Sequence, residues 1–109
     1  KALAMGADAV AIATAALVAI GCQQYRICDT GKCPVGITTQ DPELRSRFDT
    51  ELSAERLENY LRATTEELAD FTRLTGHDDI HQLETRDLRT TRAEIAQFTP
   101  IAHVGETET

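Results

Sequence analysis

The sequence has neither a cluster of positive charge nor an apolar run of membrane length. Its 11 lysine and arginine residues are scattered among 18 aspartate and glutamate residues, and the formal net charge is −7. Nucleic acid and membrane surfaces are therefore not expected as partners, because binding to phosphate needs a basic stripe that displaces counterions. The longest apolar run, residues 9–20, is too short to span a bilayer.

Other signals of function are also missing. The sequence contains no internal repeat, no nucleotide-binding loop and no nucleophile–base pair. It begins at Lys1, without an initiator methionine, in a segment that predicts the end of a helix. We therefore expect a piece of something larger. The apolar run before Cys22 resembles the precursor of a lipid-anchored protein, but Asp8 stands where such a precursor needs a cation.

Three cysteines, Cys22, Cys28 and Cys33, lie within one short stretch. An odd number leaves one thiol unpaired, and the close spacing does not suit a secreted disulfide framework. A short loop can turn three thiolates toward one metal centre, and its backbone N–H groups can offset their negative charge. Reduced thiols that act as ligands also indicate the cytoplasm. The turn-forming residues between and after the cysteines are Asp29, Thr30, Gly31, Pro34 and Gly36.

Counting ligands narrows the choice of metal. Each iron of an iron–sulfur cluster takes one protein ligand, so that three cysteines suit a 3Fe-4S cluster. A structural zinc needs a fourth ligand, for which the candidates are His77, His81 and His103. The spacing alone favours iron–sulfur and leaves zinc or ordinary structural thiols open. His77 and His81 are four residues apart, but we interpret them as surface or capping residues.

The first part of the chain predicts one helix–strand–helix step of a parallel sheet. Residues 1–5 predict the last turn of a helix that Gly6 ends, and residues 9–13 form an apolar run typical of a strand that is buried on both faces. Such a strand needs neighbours, which must come from elsewhere. A short helix is predicted over residues 15–19, with Thr14 as its N-cap or as a phosphate contact.

The second part predicts helices. Asp41 and Pro42 have the chemistry of a helix start, and this helix is expected to reach Phe48. A longer helix is predicted from Ser53, as the cap, to Thr75. Further predictions are a short helix after Asp78 or Asp79, a last helix with a capping box at residues 91–94, and a disordered tail over residues 105–109. The apolar stripe of the long helix consists of Leu57, Tyr60, Leu61, Leu68, Phe71 and Leu74.

The cysteine segment resembles the end of the synthase domain of the glutamate synthase family. The resemblance lies in Gly6-Ala7-Asp8-Ala9-Val10, in Gly21-Cys22 with Cys28, and in Cys33-Pro34-Val35-Gly36-Ile37 followed by Thr39-Gln40-Asp41-Pro42. The pattern G-C-x5-C-x4-C-P-V-G is long and specific. The resemblance to the family is tight over residues 2–45 and looser after them.

The resemblance implies an α/β fold, in which residues 1–48 are the last strand and helix of an FMN-binding (β/α)8 TIM barrel with the iron–sulfur loop. Residues 49–104 are then a mainly α-helical C-terminal extension. Cys22, Cys28 and Cys33 are implied as ligands of a 3Fe-4S cluster beside the flavin. Residues Ala13, Thr14 and Ala15 are implied as contacts of the FMN phosphate, and Ala13 stands where the resemblance leads us to expect glycine.

The function that the resemblance implies is the reductive transfer of glutamine-derived ammonia to 2-oxoglutarate, which forms L-glutamate. The implied partners are the remainder of the synthase barrel, a glutaminase domain or subunit, and an electron-donor subunit or ferredoxin. The isolated chain is expected to be inactive. The alternative is a non-enzymatic, zinc-stabilised helical module that docks a partner through the stripe on the long helix.

Overall fold

The computed structural model describes residues 1–106. These residues form two compact units: one comprises residues 12–65, and the other comprises residues 1–11 with the described part of residues 66–109. The predicted division at residue 48 stays a prediction, and so does the barrel to which it refers. Of the predicted disordered tail, residues 107–109 lie outside the described residues, whereas the Glu106 N–H donates to the His103 carbonyl over 3.0 Å.

The unit of residues 12–65 begins with helix α1, Thr14–Ala19, which ends at a left-handed glycine. Gly21 has φ +107°, a conformation that glycine adopts without strain. The Cys22 N–H donates back to the Leu17 carbonyl over 3.0 Å, which closes the helix end. This closure sends the chain directly from α1 into the loop of the cysteines.

Helix α2, Pro42–Arg45, follows that loop and begins as its sequence predicts. Oδ1 of Asp41 accepts hydrogen bonds from the Glu43 and Leu44 amides at 2.8 and 3.3 Å. The proline at the first helical position has no N–H to leave unpaired. The helix is shorter than predicted, because the bonds that continue to Phe48 join residues three apart in the chain.

Helix α3, Thr50–Leu74, is the longest element. It begins three residues before the predicted start because Asp49 is its cap: Asp49 Oδ1 accepts the Leu52 amide at 2.9 Å. Ser53, the predicted cap, lies inside the helix, is buried, and donates to the Ile20 carbonyl over 3.4 Å. Gly76, at φ +84°, ends the helix as predicted.

The other unit contains two short 3-10 helices, Ile80–Gln82 and Thr85–Asp87, helix α4, Ala93–Phe98, and two strands. Asp79 caps the first 3-10 helix, as predicted, by accepting the His81 amide. Strands β1, Arg89–Thr90, and β2, Ala102–His103, pair in parallel. Two-residue strands have no periodic signal, and the sequence did not predict them.

Two predicted features differ in the structure. The capping box at residues 91–94 is wrong, because Arg92 occupies the N-cap of α4 without a side-chain bond. Residues 9–13 form no strand in the structure, and Val10 and Ile12 are each 52% exposed. A parallel strand needs neighbouring strands on both edges. That other residues supply these neighbouring strands stays a prediction.

Few side chains are buried within residues 1–106. Ala4 is the one buried hydrophobic residue there, and the buried polar residues are Thr39, Ser53 and Thr72. Within the same range no helix has both the length and the apolar character needed to cross a membrane.

The end of α3 is joined to the second 3-10 helix by a half-buried His–Asp pair. His77 Nε2 lies 2.8 Å from Asp87 Oδ2, and both side chains are less than 15% exposed. The same carboxylate accepts the Glu84 N–H at 2.9 Å. This amide, followed by His77, lowers the pKa of Asp87. The prediction that His77 is a surface or capping residue is therefore wrong, because its ring is paired with Asp87 instead.

The pair predicts a pH-dependent loss of stability in the variant Asp87→Asn. A carboxylate whose pKa is lower in the folded state stabilises the fold above its unfolded pKa, and this contribution disappears as pH falls through the folded value. We expect a lower melting temperature for the variant near neutral pH, and a gap to wild type that closes as pH falls through the folded pKa of Asp87. A gap that is the same at acid and neutral pH would contradict this account.

Candidate functional site

The three cysteines line one small cavity in the unit of residues 12–65. Its other walls include Tyr25, Ile27 and Val35. The volume, about 20 Å³, is the room of about one water molecule. Cys22 and Cys33 are half-buried and Cys28 is exposed, and all three are free thiols. The loop thus brings together the three residues that the sequence singles out.

Two residues with left-handed backbone shape the segment between Cys22 and Cys28. Gln24 and Arg26 have φ values of +56° and +58°. Residues other than glycine adopt this left-handed backbone at a cost of about 1–2 kcal/mol. In return, the Gln24 N–H faces the Cys22 sulfur, with N and Sγ 3.4 Å apart. Non-glycine residues in this region are typical of binding and catalytic sites.

Cys28 begins a 3-10 helix, Cys28–Thr30, which ends at Gly31 with φ +68°. The Thr30 hydroxyl donates to the Ile27 carbonyl over 2.7 Å and accepts the Lys32 amide at 3.2 Å. These bonds fix the turn between the second and third cysteines. Local hydrogen bonds therefore determine the path of the backbone between Cys28 and Cys33.

Backbone hydrogen bonds stabilise the thiolate of Cys33. They come from Thr38, Ile37 and Val35, and the Thr38 hydroxyl adds a further donor. Led by the Thr38 amide, these donors outweigh the effect of burial and lower the pKa of Cys33 from 9.0 to about 7. The thiolate, which is the form that binds metal, is thereby stabilised.

Helix α2 holds the turn after Cys33 in place. Arg45 Nη1 donates to the Gly36 and Ile37 carbonyls at 3.0 and 3.4 Å, and its guanidinium lies 5.6 Å from the ring centre of Phe48. Arg47 Nη1 donates to the Pro34 carbonyl at 3.3 Å. Gly36 is packed so closely that a Cβ would lie 2.5 Å from the Leu44 carbonyl oxygen. The sequence did not predict these contacts, because they join residues of two different local structures.

The residues predicted to contact flavin phosphate lie at the start of α1. Ala13 is the N-cap and Thr14 the first helical residue, so that Thr14 is not the cap. No side chain within residues 1–106 caps this helix. The backbone of Ala13, with φ −136°, is open to residues other than glycine. Thr14 also lines a cavity of about 500 Å³ together with Cys22 and Cys28.

The histidines have other partners. His77 is paired with Asp87, the His81 ring lies 3.0 Å from the Asp8 carbonyl, and both ring nitrogens of His103 lie near backbone groups. Among residues 1–106, no group of three or more His, Cys, Asp or Glu side chains could hold a single metal ion. A cluster differs from a single ion in that each thiolate binds its own iron.

Comparison with known proteins assigns the family. The conserved region in glutamate synthase matches residues 1–78 of this chain. The chain belongs to the glutamate synthase family. The matched region contains all three cysteines, the start of α1 and the two arginines that hold the turn.

Several glutamate synthases are similar to the chain. A glutamate synthase large subunit-like protein of Rhizobium meliloti is 43% identical in an alignment of 121 positions. The alignment covers 96% of this chain and 27% of that protein. The archaeal glutamate synthase (NADPH) of Methanocaldococcus jannaschii is 47% identical over 76% of this chain and 16% of its own length. The glutamate synthase (NADH) of Schizosaccharomyces pombe is 38% identical over 75% of this chain and 4% of its own length.

The chain therefore spans about a quarter or less of the length of these glutamate synthases. No solved structure shows a significant match to it. Within this family member, the sequence identified the cysteines, and it also identified Arg26 and Lys32 as cations of their loop that could offset the charge of a cluster. It missed Gln24, Thr38, the two arginines of the turn and the left-handed backbone of Arg26. The sequence feature that could have identified Arg45 and Arg47 is their position in and just after the helix that follows the cysteine loop.

Proposed function

We propose that this chain supplies the three thiolate ligands of a 3Fe-4S cluster in a glutamate synthase that contains FMN. The enzyme would transfer glutamine-derived ammonia reductively to 2-oxoglutarate and form L-glutamate in the cytoplasm. The observation that carries the proposal is the cavity that Cys22, Cys28 and Cys33 line together in a chain of this family. The isolated chain would be inactive, because it contains no group assigned to 2-oxoglutarate.

The donor set fits the cluster. Three thiolates match three irons, one each, and the amides that face the Cys33 and Cys22 sulfurs offset the charge that such a set concentrates. When bound, the cluster would relay single electrons to or from FMN. The zinc alternative is less well supported, because the histidines that would complete its ligand set have other partners.

The start of α1 supports a contact with the flavin phosphate. The first amides of a helix have no partners within the helix and attract anions. Here those amides belong to Thr14, Ala15 and the residue after them, and no described side chain caps them. The Thr14 hydroxyl adds a donor. We therefore assign Ala13, Thr14 and Ala15 to the phosphate end of FMN.

Exposed apolar side chains support the proposal that residues 1–48 pack against the remainder of a (β/α)8 barrel. Val10 and Ile12 lie two residues apart in the segment before α1, and Leu17 and Val18 lie on α1. Each of the four is more than 40% exposed, and exposed apolar side chains gain free energy when further residues cover them. The further partners that we propose are a glutaminase domain or subunit and an electron-donor subunit or ferredoxin.

Anaerobic purification of the full-length protein tests the cluster. We expect a brown sample with a broad absorption band near ~400 nm from iron–sulfide charge transfer, and three irons with four sulfides for each chain. Each of Cys22→Ser, Cys28→Ser and Cys33→Ser should lose most of this iron. Lys32→Ser is the matched control, since Lys32 is exposed and lies beside a ligand. A colourless protein with one zinc for each chain would replace the proposal with the zinc module.

A further inference from the structure

The amides that face the Cys33 sulfur belong to three particular peptide units. All peptide bonds within residues 1–106 are trans, and a trans peptide unit points its C=O and its N–H in opposite directions. Whatever holds the carbonyl of residue 37 therefore also fixes the direction of the N–H of residue 38. The same relation links carbonyl 36 to amide 37, and carbonyl 34 to amide 35.

Two arginines hold these same three carbonyls. Arg45 holds those of Gly36 and Ile37 at 3.0 and 3.4 Å, and Arg47 holds that of Pro34 at 3.3 Å. The amides on the opposite side of these units are those of residues 37, 38 and 35. Backbone hydrogen bonds of these same three residues, with Thr38 first, lower the pKa of Cys33. The intervening Gly36 amide has a separate partner, the Cys33 carbonyl at 3.1 Å.

We propose that Arg45 and Arg47 are positioning residues that aim three backbone amides at Cys33 and thereby tune the reduction potential of the cluster. This inference rests on the proposed function, in which Cys33 is a cluster ligand. Each guanidinium acts through the peptide units whose carbonyls it holds. Its charge also polarises the peptide whose carbonyl it holds, which strengthens the N–H on the other side as a donor.

The ion pair of Arg47 does not explain the position of its side chain. The pair of Arg47 with Glu43, at 3.4 Å, is largely exposed, and such pairs contribute about 0–1 kcal/mol. The carbonyl contacts, in contrast, join α2 to a turn that contains a buried glycine, Gly36. Hydrogen bonds to a ligand sulfur withdraw electron density from it and favour the reduced cluster.

Redox titration of the full-length protein, with the cluster followed by its optical or magnetic signal, tests the inference. We expect a more negative midpoint potential for Arg45→Met. A tenfold change in the ratio of reduced to oxidised cluster corresponds to about 59 mV for a one-electron couple. Arg47→Met, which releases one peptide unit instead of two, should give a smaller shift in the same direction.

Two further variants separate position from charge. Arg45→Lys keeps the positive charge but lacks the planar fork that reaches two carbonyls, so its potential should lie between those of wild type and Arg45→Met. Arg62→Met removes the same charge from an exposed pair with Glu58 on α3 and should leave the potential unchanged. Wild-type potentials in Arg45→Met and Arg47→Met, or equality of Arg45→Lys with wild type, would overturn the proposal.

Hydrogen–deuterium exchange in metal-free full-length protein gives a second readout, one that needs no cluster. Amides 35, 37 and 38 should exchange faster in Arg45→Met than in Arg62→Met. If Arg45→Met does not retain the cluster, Arg47→Met and Arg45→Lys provide the potentials. If wild type itself binds no cluster, the proposed function fails. The exchange experiment still decides whether the arginines position the amides. Equal exchange rates in Arg45→Met and Arg62→Met would overturn the positioning role.

Discussion

Replacement of Gly36 by alanine is expected to abolish cluster binding. The new Cβ would lie 2.5 Å from the Leu44 carbonyl oxygen, 3.1 Å from the Phe48 Cβ and 3.2 Å from the Phe48 amide nitrogen. Because the nearest of these atoms is backbone, α2 and the cysteine loop must separate. The change also forces alanine to adopt φ +89°. Together the two effects cost about 3 kcal/mol or more.

This separation would break the contact between Arg45 and the Gly36 carbonyl and would scatter the amides around Cys33. The iron content of the full-length Gly36→Ala protein measures the result. Gly31→Ala is the matched control in the same loop, because Gly31 also has positive φ, but a Cβ at that position would meet no other atom within 4 Å. We expect the control to keep its iron. Equal iron content in both variants would show that the close packing of Gly36 does not matter.

The thiol of Cys33 is expected to be unusually reactive in metal-free full-length protein. A pKa of about 7 in place of 9.0 makes about half of the thiol ionised at neutral pH, against about 1% at the reference value. The lower basicity makes this thiolate a weaker nucleophile, which cancels part of the gain. The net increase in alkylation rate near neutral pH should be about five- to tenfold.

The pH dependence of that rate gives the clearer result. Alkylation of Cys33, followed residue by residue by mass spectrometry, should reach half its maximal rate near pH 7, since the thiolate is the reacting form. Thr38→Val is a control that removes the hydroxyl and keeps the backbone amide, which is the larger cause of the shift. Its midpoint should change little. A midpoint near 9 in the folded wild type would contradict the arrangement of amides around this sulfur.

Local chemistry made several elements predictable. Asp41 with Pro42 fixes the start of α2, and Gly76 fixes the end of α3, because each effect depends on neighbours within one helical turn. The start of α3 was missed by three residues since both Asp49 and Ser53 have capping chemistry, and only the fold selects between them. The capping box at residues 91–94 failed for the same reason.

Features that depend on distant residues were not predictable. The cysteine spacing identifies a metal loop, but it does not reveal that Gln24 and Arg26 adopt left-handed backbone. It also does not reveal that Arg45 reaches carbonyls eight and nine residues earlier in the chain. Both features arise from packing between the loop and α2. The segment of residues 9–13 has the composition of a buried strand, and a single segment cannot supply the strands that would pair with it.

Anomalous X-ray scattering at the iron edge, from crystals of the full-length protein, tests the central claim most directly. The account predicts three iron atoms in one compact group, with the sulfurs of Cys22, Cys28 and Cys33 each nearest to a different iron. A single zinc atom at these cysteines, or sulfurs that face different directions with no common metal centre, would contradict it.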